Sequence, residues 1–173
     1  AGDERAALAA AGAALEGLTD EPPVLSGGST PTAEAGVATP LTEVRPGTYV
    51  FGDRQQMLLA GLANRDVALV VAARVVSAPR RGEAVLDCGS KALSSDRPDW
   101  LNGYGLILEA PQATIATLSE EHAVVRGLTE PLRVGDLVRV IPNHVCPVVN
   151  LASELLTADG QQLTGRWPVT ARR

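Results

Sequence analysis

The segment Pro142-Asn143-His144-Val145-Cys146-Pro147 concentrates more chemistry than any other in the chain. It holds one of the two histidines and one of the two cysteines, separated by a single valine. Leu137-Val138-Arg139-Val140-Ile141, just before it, has strand character. If that strand continues, side chains two apart share a face with Cα atoms about 6.6 Å apart. An imidazole and a thiolate so placed can converge on a borderline or soft divalent ion, zinc foremost. The competing reading is a buried Cys beside a core His with its hydrogen bonds satisfied. Two ligands do not complete a site, so the rest of the chain must decide between them.

A second group is Ser26-Gly27-Gly28-Ser29-Thr30-Pro31-Thr32, which follows a short apolar stretch, Val24-Leu25. Adjacent glycines let backbone N–H groups approach an anion, and the Ser and Thr add hydroxyls, as in loops that cradle phosphate. A plain Gly/Ser/Thr/Pro turn is the alternative. Tyr49, in Arg45-Pro46-Gly47-Thr48-Tyr49-Val50-Phe51, is either a core anchor or a phenol beside a cofactor. Asp87-Cys88-Gly89-Ser90-Lys91-Ala92-Leu93-Ser94-Ser95-Asp96 crowds charge and hydroxyls into one loop. Ser119-Glu120-Glu121-His122 holds the other histidine. On one strand face, Glu120 and His122 would approach His144 as outer partners that orient a ligand; a solvated strand end is the alternative.

The elements that must position these groups follow from pattern. Residues 3–19 are expected to form a helix, with Asp3 and Glu4 at the positive end of its dipole. Leu8, Ala11, Leu15 and Leu18 make its apolar stripe, and Pro22-Pro23 ends it. Gly36–Pro40 reads as a flexible connection. Pro46-Gly47 makes a turn before a strand at 49–51, and Asp53 caps a helix over 54–62. Val67–Val76, nearly all apolar, is expected to be a buried strand, returning through Pro79–Gly82 into residues 83–87. Further strands are expected at 105–109, 114–118, 122–126, 137–141, 148–151, 154–157 and 163–169. Short strands at this spacing argue for a closed or sandwiched antiparallel β-domain.

Composition bounds the function. A chain of 173 residues that is 45% apolar can bury a core of its own. Its net charge of −5 and unclustered basic residues argue against a nucleic-acid surface. No apolar run approaches the roughly 18 residues that a membrane span needs. Two cysteines, one beside a His, fit a reducing, cytoplasmic setting more than a disulfide framework. Lys91 is the only lysine among 15 basic residues, so Schiff-base chemistry has a single side-chain amine available.

Taken in order, Ser26–Thr32, Glu43-x-Arg45-Pro46-Gly47-Thr48-Tyr49, Asp87-x-Gly89-Ser90-Lys91, Ser119–His122 and Pro142–Cys146 resemble the C-terminal half of the D-serine dehydratase / D-threonine aldolase family. These are fold-type III pyridoxal-phosphate enzymes akin to alanine racemase. The resemblance implies an α+β chain: the end of a pyridoxal-phosphate-binding (β/α)8 barrel over 1–63, then an antiparallel C-terminal β-domain over 64–173. It places the cofactor phosphate on Gly27, Gly28, Ser29 and Thr30, with Tyr49 near the cofactor. It places the divalent metal on His144 and Cys146, where a thiolate favours zinc over manganese. The family's Schiff-base lysine belongs to an upstream segment, so no catalytic residue is expected in this chain. Lys91 sits in a β-domain loop motif and is expected to be an ion-pair partner. The chain, which begins at Ala1, then reads as part of a longer protein. A D-serine dehydratase-like lyase, a D-threonine aldolase and a non-catalytic metal-binding or dimerisation domain all remain open. A small D-amino acid is the implied substrate and a homodimer the implied assembly.

Overall fold

The computed structural model describes residues 2–18, 20–33 and 41–172; the connection expected at Gly36–Pro40 lies outside them. Helix α1 (Gly2–Leu15) opens the chain with Asp3 and Glu4 in its first turn. The leucine stripe packs only in part: Leu8 lies against Gly27, whereas Leu15 and Leu18 are 45% and 73% exposed. Glycines permit the contact. A Cβ at Gly12 would meet the Leu25 side chain at 3.0 Å, and one at Gly27 would come within 2.6 Å of Leu8. The absent side chains are what let α1 close on strand β1 (Ser26–Gly27). Strand β2 (Glu43–Val44) pairs with β1 in parallel, and parallel neighbours need a crossover between them.

The strand expected at 49–51 is a single 3-10 turn, Thr48–Val50. The Thr48 carbonyl accepts from the N–H groups of Phe51 and Gly52 at 3.2 and 2.8 Å, so the backbone is satisfied locally and needs no strand partner. Gly52, with φ at +68°, then turns the chain into helix α2 (Arg54–Ala60). Asp53 caps α2 as expected, and Gly61 ends it in the left-handed conformation.

The remaining sheet contains β3 (Val71–Ser77), β4 (Glu83–Leu86), β5 (Gly105–Ile107), β6 (Thr114–Leu118), β7 (Ala123–Arg126) and β8 (Leu137–Pro142). Its order is β5-β8-β3-β4-β7-β6 and every pairing is antiparallel. The two edges meet where the Tyr104 N–H, just before β5, donates to the Ile115 carbonyl of β6 at 3.2 Å. The sheet is thus nearly closed on itself. Ala73, Val75, Ala84, Leu86, Ile107, Ile115, Val125, Val138 and Val140 fill it. β3 differs from its expectation: it starts at Val71 and buries one face only, leaving Val76 41% exposed. Apolar composition had masked an ordinary in/out alternation.

Helix α3 (Ser90–Leu93) interrupts the polar loop after β4. The strand expected at 148–151 is instead part of helix α4 (Val145–Leu151). α3 lies beside α4. Strands β9 (Glu154–Asp159) and β10 (Gln162–Pro168) form a separate antiparallel hairpin. Its Leu155 packs on Leu69, Val145 and Val148. No helix among the described residues is long and apolar enough to cross a membrane.

Candidate functional site

The His-x-Cys segment straddles the end of β8 and the start of α4, so its two side chains do not alternate along one strand. His144 is the N-cap residue, with extended φ and ψ of −138° and 116°, and Cys146 lies in the first helical turn. The cause is remote in sequence. The buried Asp53 accepts from the Gln56 N–H at 2.9 Å with Oδ1 and from the Val145 N–H at 3.0 Å with Oδ2. One carboxylate therefore caps α2 and α4 together. Its charge meets one of the unpaired N–H groups at each of the two helix N-termini.

Asn143 completes the frame. Its carbonyl accepts from the Gln55 N–H at 3.2 Å. Its Nδ2 donates to the carbonyls of Gly103 at 3.0 Å and Asp96 at 3.3 Å, and its Oδ1 accepts from Arg54 Nη1 at 3.3 Å. The same Arg54 nitrogen donates to the Asn102 carbonyl at 2.6 Å. Burial lowers the Arg54 pKa by desolvation, and the guanidinium remains charged. Asp53, Arg54 and Asn143 thus fix the backbone on either side of His144. Sequence reasoning read Asp53 only as a local helix cap and gave Asn143 no role. The available signal was an acidic cap directly before an arginine, in a segment otherwise bound for the interior.

His144 is about one-third exposed, and its Nδ1 lies 2.5 Å from Asp96 Oδ2. Asp96 replaces the expected outer partners. Glu120 and Glu121 both bind Lys91, at 2.9 and 2.8 Å, and His122 is exposed, its N–H donating to Ser119 Oγ at 3.3 Å. Lys91 is the ion-pair partner that its loop position implied, and hydrogen bonds to Glu121 and Glu120 raise its pKa. Gly89 explains why this loop and the Ser-Glu-Glu-His turn belong together. A Cβ there would fall 2.4 Å from the carbonyls of Ser119 and Glu120. Those carbonyls accept from the Ser90 and Lys91 N–H groups at 2.8 and 3.1 Å.

Cys146 is exposed, and Cys88 is buried and free. Burial, with the Asp87 charge adding to it, pushes the Cys88 thiol up to about 12, so it stays protonated and inert. The Cys146 Sγ lies 3.7 Å from Thr48 Oγ1. Next to Thr48, the Tyr49 N–H donates to Thr30 Oγ1 at 3.2 Å. Thr30 lies in the glycine loop, so this one 3-10 turn touches both groups that the sequence singled out. The Tyr49 residue is 65% exposed, which rules out a core anchor.

The donor sets can be tested against the groups they would hold. Among the described residues no three His, Cys, Asp or Glu side chains form a closed metal cluster. His144 and Cys146 offer one borderline and one soft donor, both open to solvent, which fits a zinc-like ion that keeps positions for water or substrate. In the glycine loop, Gly28 has φ of +81°, and its N–H donates to the Glu4 carboxylate at 3.1 Å. That donor already holds an anion, so the loop fits a phosphate, which would have to displace Glu4. The Ser29 N–H is turned inward to Thr32 Oγ1 at 2.9 Å, and Gly27 serves the packing of α1.

Comparison with known proteins places the chain in a family. Residues 68–158 match the family described as putative serine dehydratase domain. An uncharacterized protein of Mycobacterium tuberculosis is 47% identical over 129 residues, covering 71% of this chain and 97% of that protein. D-threo-3-hydroxyaspartate dehydratase of a Delftia species is 34% identical over 93% of this chain and 48% of the enzyme. Its structure superposes with a TM-score of 0.77. Variants of that dehydratase with a histidine or a cysteine replaced by alanine, at positions two apart, have also been solved, the cysteine variant in the metal-free form. D-threonine aldolase of Filomicrobium marinum superposes with a TM-score of 0.80 at 27% identity, covering 97% of this chain and 46% of that one. The chain thus spans about half the length of these named enzymes and nearly all of the mycobacterial relative.

Proposed function

This chain belongs to the putative serine dehydratase domain family, and from that premise we propose that it forms the metal-binding and phosphate-side part of a pyridoxal-phosphate-dependent D-amino-acid lyase. The reaction is the removal of water from a 3-hydroxy-D-amino acid, as in the D-serine and D-threo-3-hydroxyaspartate dehydratases among its relatives. Residues 1–63 contribute the end of the cofactor barrel and residues 64–173 the β-domain. His144 and Cys146 hold a divalent ion, zinc by the softness of the thiolate. The Gly28 N–H and the hydroxyls of Ser29 and Thr30 receive the cofactor phosphate, and Tyr49 borders it. When bound, pyridoxal phosphate supplies an electron sink and the ion a Lewis acid for the substrate hydroxyl. The protein's part is to fix the distance between the two groups.

One observation carries this reading. The Thr48–Tyr49 turn touches Cys146 through Thr48 Oγ1 and Thr30 through the Tyr49 N–H, which ties the metal pair to the phosphate loop. The test is to assay the intact protein with D-serine, D-threo-3-hydroxyaspartate and D-threonine. Ammonia with a 2-oxo acid is expected. Glycine with an aldehyde would mean the aldolase reaction instead, which the superposition on D-threonine aldolase favours as the second reading. Zinc bound in stoichiometric amount, and lost in His144→Ala, is the accompanying expectation. We further propose a homodimer, to which the exposed Leu58, Leu163 and Trp167 would offer apolar surface; sedimentation at the mass of one protomer would overturn it.

A further inference from the structure

We propose that Asp96 is a positioning residue for His144. It holds the imidazole in the Nδ1–H tautomer and leaves Nε2 as the lone pair available to an ion shared with Cys146. The inference rests on the metal reading above and adds a residue to it. Three separate observations support it.

The first is the contact itself. An ionised carboxylate is acceptor-only, so an imidazole nitrogen 2.5 Å from Asp96 Oδ2 must carry the proton of that bond. The tautomer follows, because in a neutral ring a protonated Nδ1 leaves the lone pair on Nε2. The second is that the backbone of Asp96 is tied to the backbone of the His-x-Cys segment. Asn143, next to His144 and buried, donates from Nδ2 to the Asp96 carbonyl at 3.3 Å. Carboxylate and imidazole are therefore held on a common frame rather than meeting as two loose surface side chains.

The third is strain. Ser94 is the only non-glycine residue with positive φ among the described residues, at 60° with ψ of 159°, a region that side chains normally avoid. Its Oγ accepts the Asp96 N–H at 3.1 Å. Ser94 ends α3, its own N–H still donating to the Ser90 carbonyl at 2.9 Å, and the kink turns the chain from that helix toward His144. Strain is retained where the surroundings enforce a particular placement, and the placement here is the Asp96 carboxylate. The nearer-looking acids do not compete for the role, since Glu120 and Glu121 are engaged with Lys91.

The test uses the metal-free chain with 15N-labelled histidine, in alkaline buffer where an ordinary imidazole is neutral. Nitrogen-detected correlation spectra report which ring nitrogen carries the proton. Wild type is expected to show a protonated Nδ1 on His144. Asp96→Ala is expected to lose that preference, and Asp96→Asn, which keeps an acceptor oxygen, to restore most of it. Zinc affinity, read by competition with a chromophoric chelator, is expected to fall 10- to 100-fold in Asp96→Ala and less in Asp96→Asn. Thermal melts of each variant show whether the fold is retained. An unprotonated Nδ1 in wild type, or an unchanged tautomer in Asp96→Ala, overturns the proposal. If wild type takes up no zinc, the metal reading fails by itself, and the metal-free spectra still decide what Asp96 does to His144.

Discussion

At the residue scale, Asp53 carries more of the local structure than any ligand candidate. Its fully buried carboxylate accepts one N–H from each of two helices. Removing it strips a cap from both and leaves the Val145 N–H without a partner between His144 and Cys146. Asp53→Ala is expected to cost about 3 kcal/mol, measured by urea unfolding, and to weaken zinc binding through the displaced α4. The two cysteines divide by environment. With Cys146 exposed and Cys88 buried, a chromogenic disulfide reagent is expected to titrate one thiol in the native chain and two after denaturation, with zinc protecting the first. Cys88 also sets a slope in stability. Its pKa is raised from 9.0 to about 12 on folding, so between these values the unfolded chain has lost a proton that the native chain keeps. Stability therefore falls as pH rises across that window, by about 1.4 kcal/mol per unit, and Cys88→Ala removes this component of the slope. Glu4 is the anion now on the Gly28 N–H. Relieving its repulsion should tighten the binding of inorganic phosphate roughly fivefold in Glu4→Ala, measured by titration calorimetry; weaker binding would show the carboxylate to be part of the cradle.

At the scale of elements, the tightest approach is between the loop after β4 and the turn between β6 and β7. No side chain fits at Gly89, because the Ser119 and Glu120 carbonyls occupy the space a Cβ needs. Gly89→Ala is expected to lower stability by about 3 kcal/mol, and to free Lys91 from its two glutamates because the loop must back away. A melting temperature equal to wild type would refute this. The same elements show which parts of the fold are legible in the sequence. The strand at 114–118 and the hairpin through residues 79–86 were readable because alternation and turn residues are local signals. The Asp53 cap on α2 was local too. The helix at 145–151 was not legible. Pro147-Val148-Val149 has strand composition, and the capping carboxylate that starts the helix comes from position 53. The 3-10 turn at Thr48–Val50 was missed for a related reason. Tyr-Val-Phe favours a strand by propensity, but among the described residues no strand pairs with it, and the Thr48 carbonyl takes the Phe51 and Gly52 N–H groups. The helix stripe in α1 held only at Leu8. Leucine spacing marks a possible apolar face, whereas the face in use was chosen by the glycines that permit close approach.

At the scale of the whole molecule, the proposed function requires an amine to hold the cofactor. The motifs proposed for phosphate and metal were legible only as motifs, because each is a short run of unusual residues. Their juxtaposition was not, since it depends on Thr48 and Tyr49 reaching Cys146 and Thr30 across long sequence separations. The only lysine in the chain is Lys91, and it lies in the loop after β4, bound to the turn between β6 and β7. Its ammonium group is bound by Glu120 and Glu121 at 2.9 and 2.8 Å, and both hydrogen bonds raise its pKa. A protonated amine has no lone pair with which to attack an aldehyde. The prediction is therefore that this chain, mixed with one equivalent of pyridoxal phosphate and reduced with borohydride, carries no cofactor on Lys91 when its peptides are weighed. Glu120→Gln with Glu121→Gln releases the amine and is expected to raise labelling at that position. Stoichiometric labelling of Lys91 in the unaltered chain, abolished in Lys91→Ala, would reverse the assignment and make this loop part of the cofactor site. Its absence, together with phosphate binding at Gly28, would mean that the amine partner of the cofactor lies outside these 173 residues.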